Sequence, residues 1–304
     1  MSSQPTREDA PAEQADPPIT EPAEVFATIS NETRLAILEA LWEAETRHVS
    51  FTELNRAVGM KDSAQFNYHL RQLLGRFVHK SDDGYKLTYA GKHVLRTLIS
   101  GRFTDQISID PFSIPGTCVG CGEPLVASYA DEVLAVRCSA CERLHSGYPF
   151  PPAAVQGRTH KEMLDSYNRW VRHLYSLAAD GVCPECGSQM KSKLVDGQQC
   201  LPELQIAVGH ECVQCQSHVT AAIGMNLLYQ PDVVSFYRDH DIDLGNVPYW
   251  ELPWCVGDEH TTVIADDPWR ARVAITLGDE ELRVTVDDDI SVVAVERTKQ
   301  YTSK

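Results

Sequence analysis

Apolar residues recur with helical spacing through the first third of the chain. The spacing predicts one helix over about 31–44, a second that begins at Phe51 and ends near Gly59, and a third that Asp62 caps. A further helix through about Ser100 is predicted to follow a β-hairpin. This succession of elements indicates a winged helix-turn-helix.

The predicted third helix has an apolar side and a polar side. Its buried stripe is predicted to consist of Phe66, Leu70, Leu73 and Leu74. The opposite face carries Ser63, Gln65, Asn67, Tyr68 and Arg71. Asn and Gln can pair bidentately with adenine, and Arg can pair with guanine or phosphate. Because recognition helices present their N-terminal residues to the major groove, we predict that this face binds double-stranded DNA.

The hairpin supplies two further candidate DNA contacts. Its turn is predicted at Asp83-Gly84, a dipeptide that favours tight hairpin turns. Lys80 and Lys86 flank this turn and are predicted to reach phosphate groups.

Beyond residue 101 the pattern changes to alternation, which predicts strands. Predicted strands are Pro124–Ala130, Glu132–Arg137, Leu204–Gly209, Thr220–Gly224 and a final meander of Thr261–Ala265, Arg270–Thr276, Glu281–Val286 and Ile290–Arg297. A helix over 231–240 is predicted before the meander, and an amphipathic helix over 158–180 separates the earlier strand pairs. Trp170 and Leu177 are predicted on the apolar side of that amphipathic helix, for packing in a core or a dimer.

Eight of the 10 cysteines form CxxC pairs. The pairs are Cys118 with Cys121, Cys138 with Cys141, Cys183 with Cys186, and Cys212 with Cys215. Each successive two pairs predict a four-thiolate site of the zinc-ribbon type, so two structural zinc ions per chain are expected. Redox chemistry or simple burial of thiols is the alternative. A closed four-cysteine site leaves no open position for substrate, so no enzyme is expected.

Three further residues near these pairs are potential ligands. Cys200 lies between the third and fourth pairs, His210 lies two residues before Cys212, and Cys255 follows later in the chain. Ordinary structural roles are expected for all three, because a free cysteine commonly behaves as a small buried hydrophobe.

The net charge of −16 is unevenly distributed. Residues 56–101 carry eight basic and three acidic residues, so the local positive field coincides with the predicted DNA-binding segment. The acidic remainder resembles the surfaces of proteins from salt-loving microbes. Residues 1–20 lack the pattern of a signal peptide and are expected to form a disordered acidic tail. No apolar run is long enough to cross a membrane, so a cytoplasmic protein is expected.

The N-terminal segment resembles the ArsR-type winged-helix family of transcriptional regulators. The matching pieces are SNETRLAILEAL, FTELNRAVGM, FNYHLRQL and DGYKLTYAG, which together represent about a quarter of the chain. The resemblance implies a homodimer that reads palindromic DNA. Metal-sensing members carry cysteines on the helix before the recognition helix, and Phe51–Met60 has none. Metal sensing at that position is therefore not expected.

These features predict an α+β protein, with a winged helix-turn-helix followed by two zinc-ribbon-like modules and an antiparallel β meander. The predicted segments are an acidic tail (1–20), a DNA-binding domain (21–101), a first module (102–157), a connecting helix (158–180), a second module (181–230) and a short helix with the meander (231–304). The predicted function is sequence-specific transcriptional regulation, with dimerisation or sensing of a small ligand in the C-terminal part. The alternative is a zinc-ribbon adaptor that binds a transcription protein and has weak DNA affinity.

Overall fold

The computed structural model describes residues 21–45, 47–197, 201 and 204–299. The chain divides into two compact units, with the boundary between Ile99 and Ser100. The predictions for the tail at 1–20 and for Cys200 lie outside the described residues. The predicted α+β class is confirmed, with helices in the first unit and antiparallel sheets in the second.

The first unit is built from helices and one hairpin. Its elements are α1 (Pro22–Ile29), α2 (Glu32–Glu43), α3 (Phe51–Val58), α4 (Ser63–Leu73), β1 (Val78–Ser81), β2 (Gly84–Leu87) and α5 (Tyr89–Ile99). The side chain of Asp62 caps the N-terminus of α4, as the sequence predicts, and the side chain of Asn31 caps that of α2. A capping box of Ser50 and Glu53 begins α3, and the left-handed Gly59 ends it.

Apolar side chains from α2, α3, α4 and α5 form the core of the first unit. Phe66, Leu70 and Leu73 are buried as predicted, whereas Leu74 lies just after the end of α4 and is only partly buried. The ring of Phe51 packs edge-on against Phe66 at 5.1 Å, which fixes α3 against α4. The amphipathic spacing of these helices therefore holds the polar side of α4 away from the core.

The hairpin turn differs from the prediction by one residue. Ser81 pairs with Gly84, so the turn consists of Asp82 and Asp83 rather than Asp83-Gly84. Gly84 instead begins β2 with φ of 125°, and a Cβ there would lie 2.6 Å from the carbonyl oxygen of Val49. Glycine is needed because Val49 pairs with the next strand residue, Tyr85.

The second unit begins with an antiparallel sheet, here called the first sheet. Its strands are β3 (Ile109–Thr117), β4 (Pro124–Ala130), β5 (Val133–Cys138) and β6 (Leu144–Pro149), paired in that order. The two predicted strands are confirmed as β4 and β5. Asp131 and Glu132 join them with left-handed φ values of 50° and 59°, which suits a tight hairpin.

Helix α6 (His160–Ala179) leads from the first sheet to the second sheet. The second sheet contains β7 (Met190–Asp196), β8 (Ile206–Cys212) and β9 (His218–Ala221), in that order. Strand β7 was not predicted. Trp170 and Leu177 were expected on the packed side of α6, but they are 39% and 43% exposed because Met163, Tyr167 and Val171 form the buried side.

The chain ends in the predicted meander. Helix α7 (Pro231–Asp239) and the short α8 (Pro253–Val256) precede β10 (Thr261–Asp266), β11 (Trp269–Leu277), β12 (Glu280–Asp287) and β13 (Val292–Lys299). These strands pair in sequence order. One core joins the meander to both earlier sheets and α6, through side chains such as Leu134, Tyr167, Val208, Trp250 and Val284.

Candidate metal centres and candidate nucleic-acid interface

The first cluster consists of Cys118, Cys121, Cys138 and Cys141, which two turns of the first sheet bring together. The Sγ atoms of Cys121 and Cys138 lie 3.4 Å apart, and those of Cys118 and Cys141 lie 3.7 Å apart. All four sulfur atoms lie within 4.8 Å of one another. The described cysteines form no disulfide, so these thiols are free to bind a metal.

The second cluster consists of Cys183, Cys186, Cys212 and Cys215, and it has the same arrangement. The Sγ distance is 3.6 Å from Cys183 to Cys215 and 3.5 Å from Cys186 to Cys212. In each cluster the first cysteine of a pair is buried and the second is exposed. The repeated order of burial means that each pair offers one inner and one outer thiol.

The same backbone turn holds all four cysteine pairs. A left-handed residue follows each second cysteine, with φ of 79° at Gly122, 59° at Glu142, 74° at Gly187 and 59° at Gln216. The sequence showed this signal only at the two glycines. Glu142 and Gln216 adopt a conformation that costs energy for residues with a Cβ, which indicates that the cysteine geometry determines the turn.

Backbone N–H groups point at the inner thiols. The N–H groups of Cys141 and Ala140 hydrogen-bond the sulfur of Cys138 and lower its pKa to about 6. In the second cluster, the N–H groups of Cys215 and Gln214 act against the effect of burial and lower the pKa of Cys212 to about 6. Such bonds stabilise thiolate, which is the form that binds metal.

The sulfur spacing fits a single bound metal ion in each cluster. Four thiolates around a tetrahedral zinc ion, at about 2.3 Å, lie about 3.8 Å from one another. The close pairs of both clusters, at 3.4–3.7 Å, lie slightly inside this spacing. Each cluster can therefore hold one metal ion, in modules of the zinc-ribbon type.

Arg143 lies beside the first cluster and was not singled out by the sequence. A Cβ built at Gly120, between Cys118 and Cys121, would lie 2.9 Å from one guanidinium nitrogen of Arg143. The same nitrogen, Nη1, donates to Glu259 at 2.5 Å. A cationic group at this place would offset the negative charge of four thiolates around one divalent ion.

The additional potential ligands lie apart from both clusters. His210 is buried, its Nδ1 lies 2.8 Å from the hydroxyl of Ser192, and burial lowers its pKa. Cys255 is buried in α8, and burial raises its pKa well above the ordinary value. The two clusters found in the described part of the chain include neither residue.

The predicted DNA-binding face occupies the outer side of α4. Ser63, Gln65 and Arg71 are exposed, and Asn67 is partly buried. Tyr68 is 58% exposed, with its ring edge-on to His69. The hydrogen bonds from Ala64 and Gln65 to Asp62 fix the N-terminal turn from which this face begins. The structure thus places the five predicted side chains on one helix, mostly in solvent.

The hairpin positions the two predicted lysines on adjacent strands. Lys80 lies in β1, opposite Tyr85, and its Nζ is 5.7 Å from the centre of that ring. Lys86 lies in β2, opposite the exposed His79, which the sequence had not singled out. Within the described part of the chain, Arg71, Lys80 and Lys86 form no ion pair. Their charges are therefore available to an anionic partner.

The second unit is built on antiparallel sheets and carries two four-cysteine sites of the metal-binding type. Residues 115–292, more than half of the chain, match the family described as a domain of unknown function (DUF7351), and the chain belongs to this family. Residues 22–98 match another, described as a domain of unknown function (DUF7347). No curated protein and no solved structure matches the chain. Across the described residues, no helix combines the length and apolarity that a membrane crossing requires.

Proposed function

We propose that the protein is a sequence-specific DNA-binding transcriptional regulator, in which α3, α4 and the hairpin act as a winged helix-turn-helix. The observation that carries the proposal is the polar side of α4, on which Gln65 and Arg71 are exposed and Asn67 is partly buried. Helix α3 packs behind this helix. These side chains are the types that read adenine and guanine in the major groove.

Local charge supports a nucleic acid as the partner. Residues 56–101 carry eight basic and three acidic residues in a chain of net charge −16. Lys80 and Lys86 extend this positive region onto the hairpin, where they would contact phosphates beside the groove that α4 enters. A partner attracted by charge alone would avoid the rest of this acidic chain, so the basic segment directs DNA to one face.

A homodimer is part of the proposal. Helix α1 has no buried residue, and its Phe26 is 69% exposed. Tyr89 and Ile99 of α5 are 76% and 57% exposed. Val25 and Ile29 hold α1 on the core of the first unit, and a second copy packed on the exposed apolar residues would cover them. The dimer would present two α4 helices to a palindromic site.

Zinc is the proposed occupant of both clusters. Thiolate ligands in tetrahedral closure suit zinc, and the absence of any open coordination position suits a structural role. The proposal therefore assigns regulation to DNA binding, not to chemistry at the metal. A cytoplasmic location, where thiols stay reduced, is consistent with free cysteines at all eight positions.

DNA binding can be tested with matched arginine variants. Genome-wide mapping of bound DNA would first supply the operator for fluorescence anisotropy. Arg71→Ala should then weaken operator binding by about 10- to 100-fold, because one bidentate base contact contributes about 1–3 kcal/mol. Arg238→Ala removes an exposed arginine from α7 in the second unit and should leave affinity unchanged. Equal affinities for both variants would contradict the assignment of α4.

A specific observation favours an adaptor as the second candidate function. Trp170 and Leu177 are exposed on the same side of α6. His173 lies between them in the sequence, and the ring of Tyr229 stacks on it. An exposed aromatic and aliphatic surface of this kind suits a protein partner. Recovery of a transcription protein by the wild type but not by Leu177→Asp, together with no preferred DNA site, would support the adaptor over the regulator.

A further inference from the structure

A cavity of about 570 Å³ lies within the second unit, between strands β6 and β9. Strand β6 forms one edge of the first sheet, and β9 forms one edge of the second sheet. Helix α8 and the 3-10 turns at Ile223–Leu227 and Tyr249–Glu251 complete its walls. The space opens to solvent, and its volume falls within the range of small-molecule sites.

The walls of this cavity carry no formal charge of the Asp, Glu, Lys or Arg type. None of the described residues that line it belongs to those four types, although they form 23% of the chain. Apolar side chains such as Leu144, Val219, Met225 and Val256 contribute instead. A cationic ligand placed here would lose its hydration without gaining an opposite charge, and an anionic ligand would find only the imidazoles of His145 and His218.

Hydroxyl groups supply the polar contacts at the wall. The hydroxyl of Tyr249 hydrogen-bonds that of Ser146, which in turn lies 2.6 Å from the hydroxyl of Tyr167. Tyr148 donates from β6 to the carbonyl oxygen of Thr220 in β9 at 2.7 Å, and this bond joins the two sheet edges. These groups are fixed in position by their partners before any ligand arrives.

The tyrosines at the wall stay neutral. Burial raises the pKa of Tyr148 and of Tyr249 well above the ordinary value. Burial also raises the pKa of the Cys255 thiol, which lines the same cavity. The cavity therefore offers neutral donors and acceptors on an apolar wall.

We propose that this cavity binds an uncharged, largely apolar small molecule, which exchanges hydrogen bonds with the hydroxyl groups of Tyr249 and Ser146. The ligand would touch β6 and β9 together and so bridge the first and second sheets. The sequence suggested a small ligand for the C-terminal part, and the structure assigns it a place and a chemical class. The proposal is independent of DNA binding, because every lining residue belongs to the second unit.

Two fluorescent probes with the same aromatic skeleton test the chemical class. N-phenyl-1-naphthylamine is uncharged, and 1-anilinonaphthalene-8-sulfonate adds one sulfonate to it. Titrated into the full-length protein, the uncharged probe should saturate at one site per chain and bind at least tenfold more tightly than the sulfonate. No saturable binding, or equal affinity for the two probes, would overturn the proposal.

Substitution of Gly147 tests the place. Gly147 lines the cavity, and the atoms nearest to a Cβ there belong to the side chain of Leu144, at 3.4 Å or more. Gly147→Leu should therefore fill the cavity and weaken binding of the uncharged probe at least tenfold, with the thermal midpoint unchanged or raised. Gly147→Ala, which demands less space, should weaken binding by about threefold and serves if the larger variant fails to fold.

An exposed leucine provides the control. Leu177→Ser removes apolar surface from α6, away from the residues that line the cavity, and should leave the affinity for the uncharged probe unchanged. If Leu177→Ser weakens binding while Gly147→Ala does not, the probe binds the surface of α6, and the cavity is not its site.

Discussion

The first and second sheets carry the same cysteine arrangement on different supports. In both sheets, a residue with a left-handed backbone follows each cysteine pair, and the first cysteine of each pair is buried. In the first sheet, the two-residue turn at Asp131 and Glu132 joins the strands between the pairs. In the second sheet, residues 197–205 separate β7 from β8. The cysteine turns therefore form in the same way whether the segment between the pairs is short or long. The stability of each sheet depends on that segment and on the packing of the sheet.

Helix α6 extends this difference through the hydrogen bonds of its two buried tyrosines. The hydroxyl of Tyr167 donates to the carbonyl of Leu134 and accepts from the N–H of Tyr148, both in the first sheet. The hydroxyl of Tyr175 donates to the carbonyl of Thr220 in the second sheet and also contacts the hydroxyl of Tyr148 in the first sheet. The first sheet is therefore held through more bonds to α6 than the second.

Removal of metal should give the largest difference in stability between the two sheets. Structural zinc contributes about 10–16 kcal/mol in small zinc-binding peptides, so a chelator should greatly destabilise the second unit. The second sheet should open first, because its longer connection adds about 1 kcal/mol to the entropy cost of closing the loop. Hydrogen exchange during a chelator titration should rise in β7 and β8 before β4 and β5. Simultaneous exchange in all four strands would contradict the distinction.

Removal of single hydroxyl groups should show the same asymmetry with intermediate effects. Tyr167→Phe leaves the carbonyl of Leu134 and the N–H of Tyr148 without this partner and should cost about 2 kcal/mol in the free energy of unfolding. Tyr175→Phe should cost less than about 1 kcal/mol, because Tyr148 still donates to Thr220. Urea denaturation of the two matched variants measures both values, and a larger loss for Tyr175→Phe would reverse the comparison.

The sequence predicted what short-range patterns determine. The CxxC spacing indicated both clusters, and alternation in 124–137 indicated β4 and β5, because nearby residues there form each feature. The hydroxyl network around Ser146 was not predicted, because Tyr167 and Tyr249 reach Ser146 from distant parts of the chain. Strand β7 was also not predicted. The hairpin turn was displaced by one residue, because the position of Gly84 depends on Val49 rather than on its own dipeptide.

Ion pairs offer a smaller test of how each sheet is supported. Burial opposes ionisation of Glu259, but the hydrogen bond and charge of Arg143 more than offset it and lower the pKa of Glu259. In the second sheet, Lys193 and Glu211 form an exposed pair at 3.5 Å. Glu259→Gln should cost about 1 kcal/mol, whereas Lys193→Gln should cost about 0.3 kcal/mol. Chemical denaturation of each variant against the wild type gives both numbers.

The pH dependence of the Arg143 pair follows from the direction of the pKa shift. Since the folded state holds the pKa of Glu259 below its unfolded value, the stabilisation is complete above the unfolded pKa and disappears as the pH falls through the folded pKa. The difference between wild type and Glu259→Gln should therefore shrink on acidification below about pH 4. A difference that stays constant would mean that the carboxylate charge is not what holds Arg143.

The smallest expected effects concern the residues after the cysteine pairs. A Cβ at Gly122 or Gly187 would meet no atom within 4 Å, so Gly→Ala at either position changes only the cost of the left-handed backbone. That cost is about 1 kcal/mol, partly offset by the reduced freedom of the unfolded chain.

The reverse changes, Glu142→Gly and Gln216→Gly, should raise stability by about 0.5 kcal/mol or less. If the turns are truly equivalent in both sheets, the two alanine variants lose the same free energy in urea denaturation, and the two glycine variants gain the same. A gain confined to Gln216→Gly would instead show that strain concentrates in the second sheet, where the longer connection leaves the cysteine turn with less support from its strands.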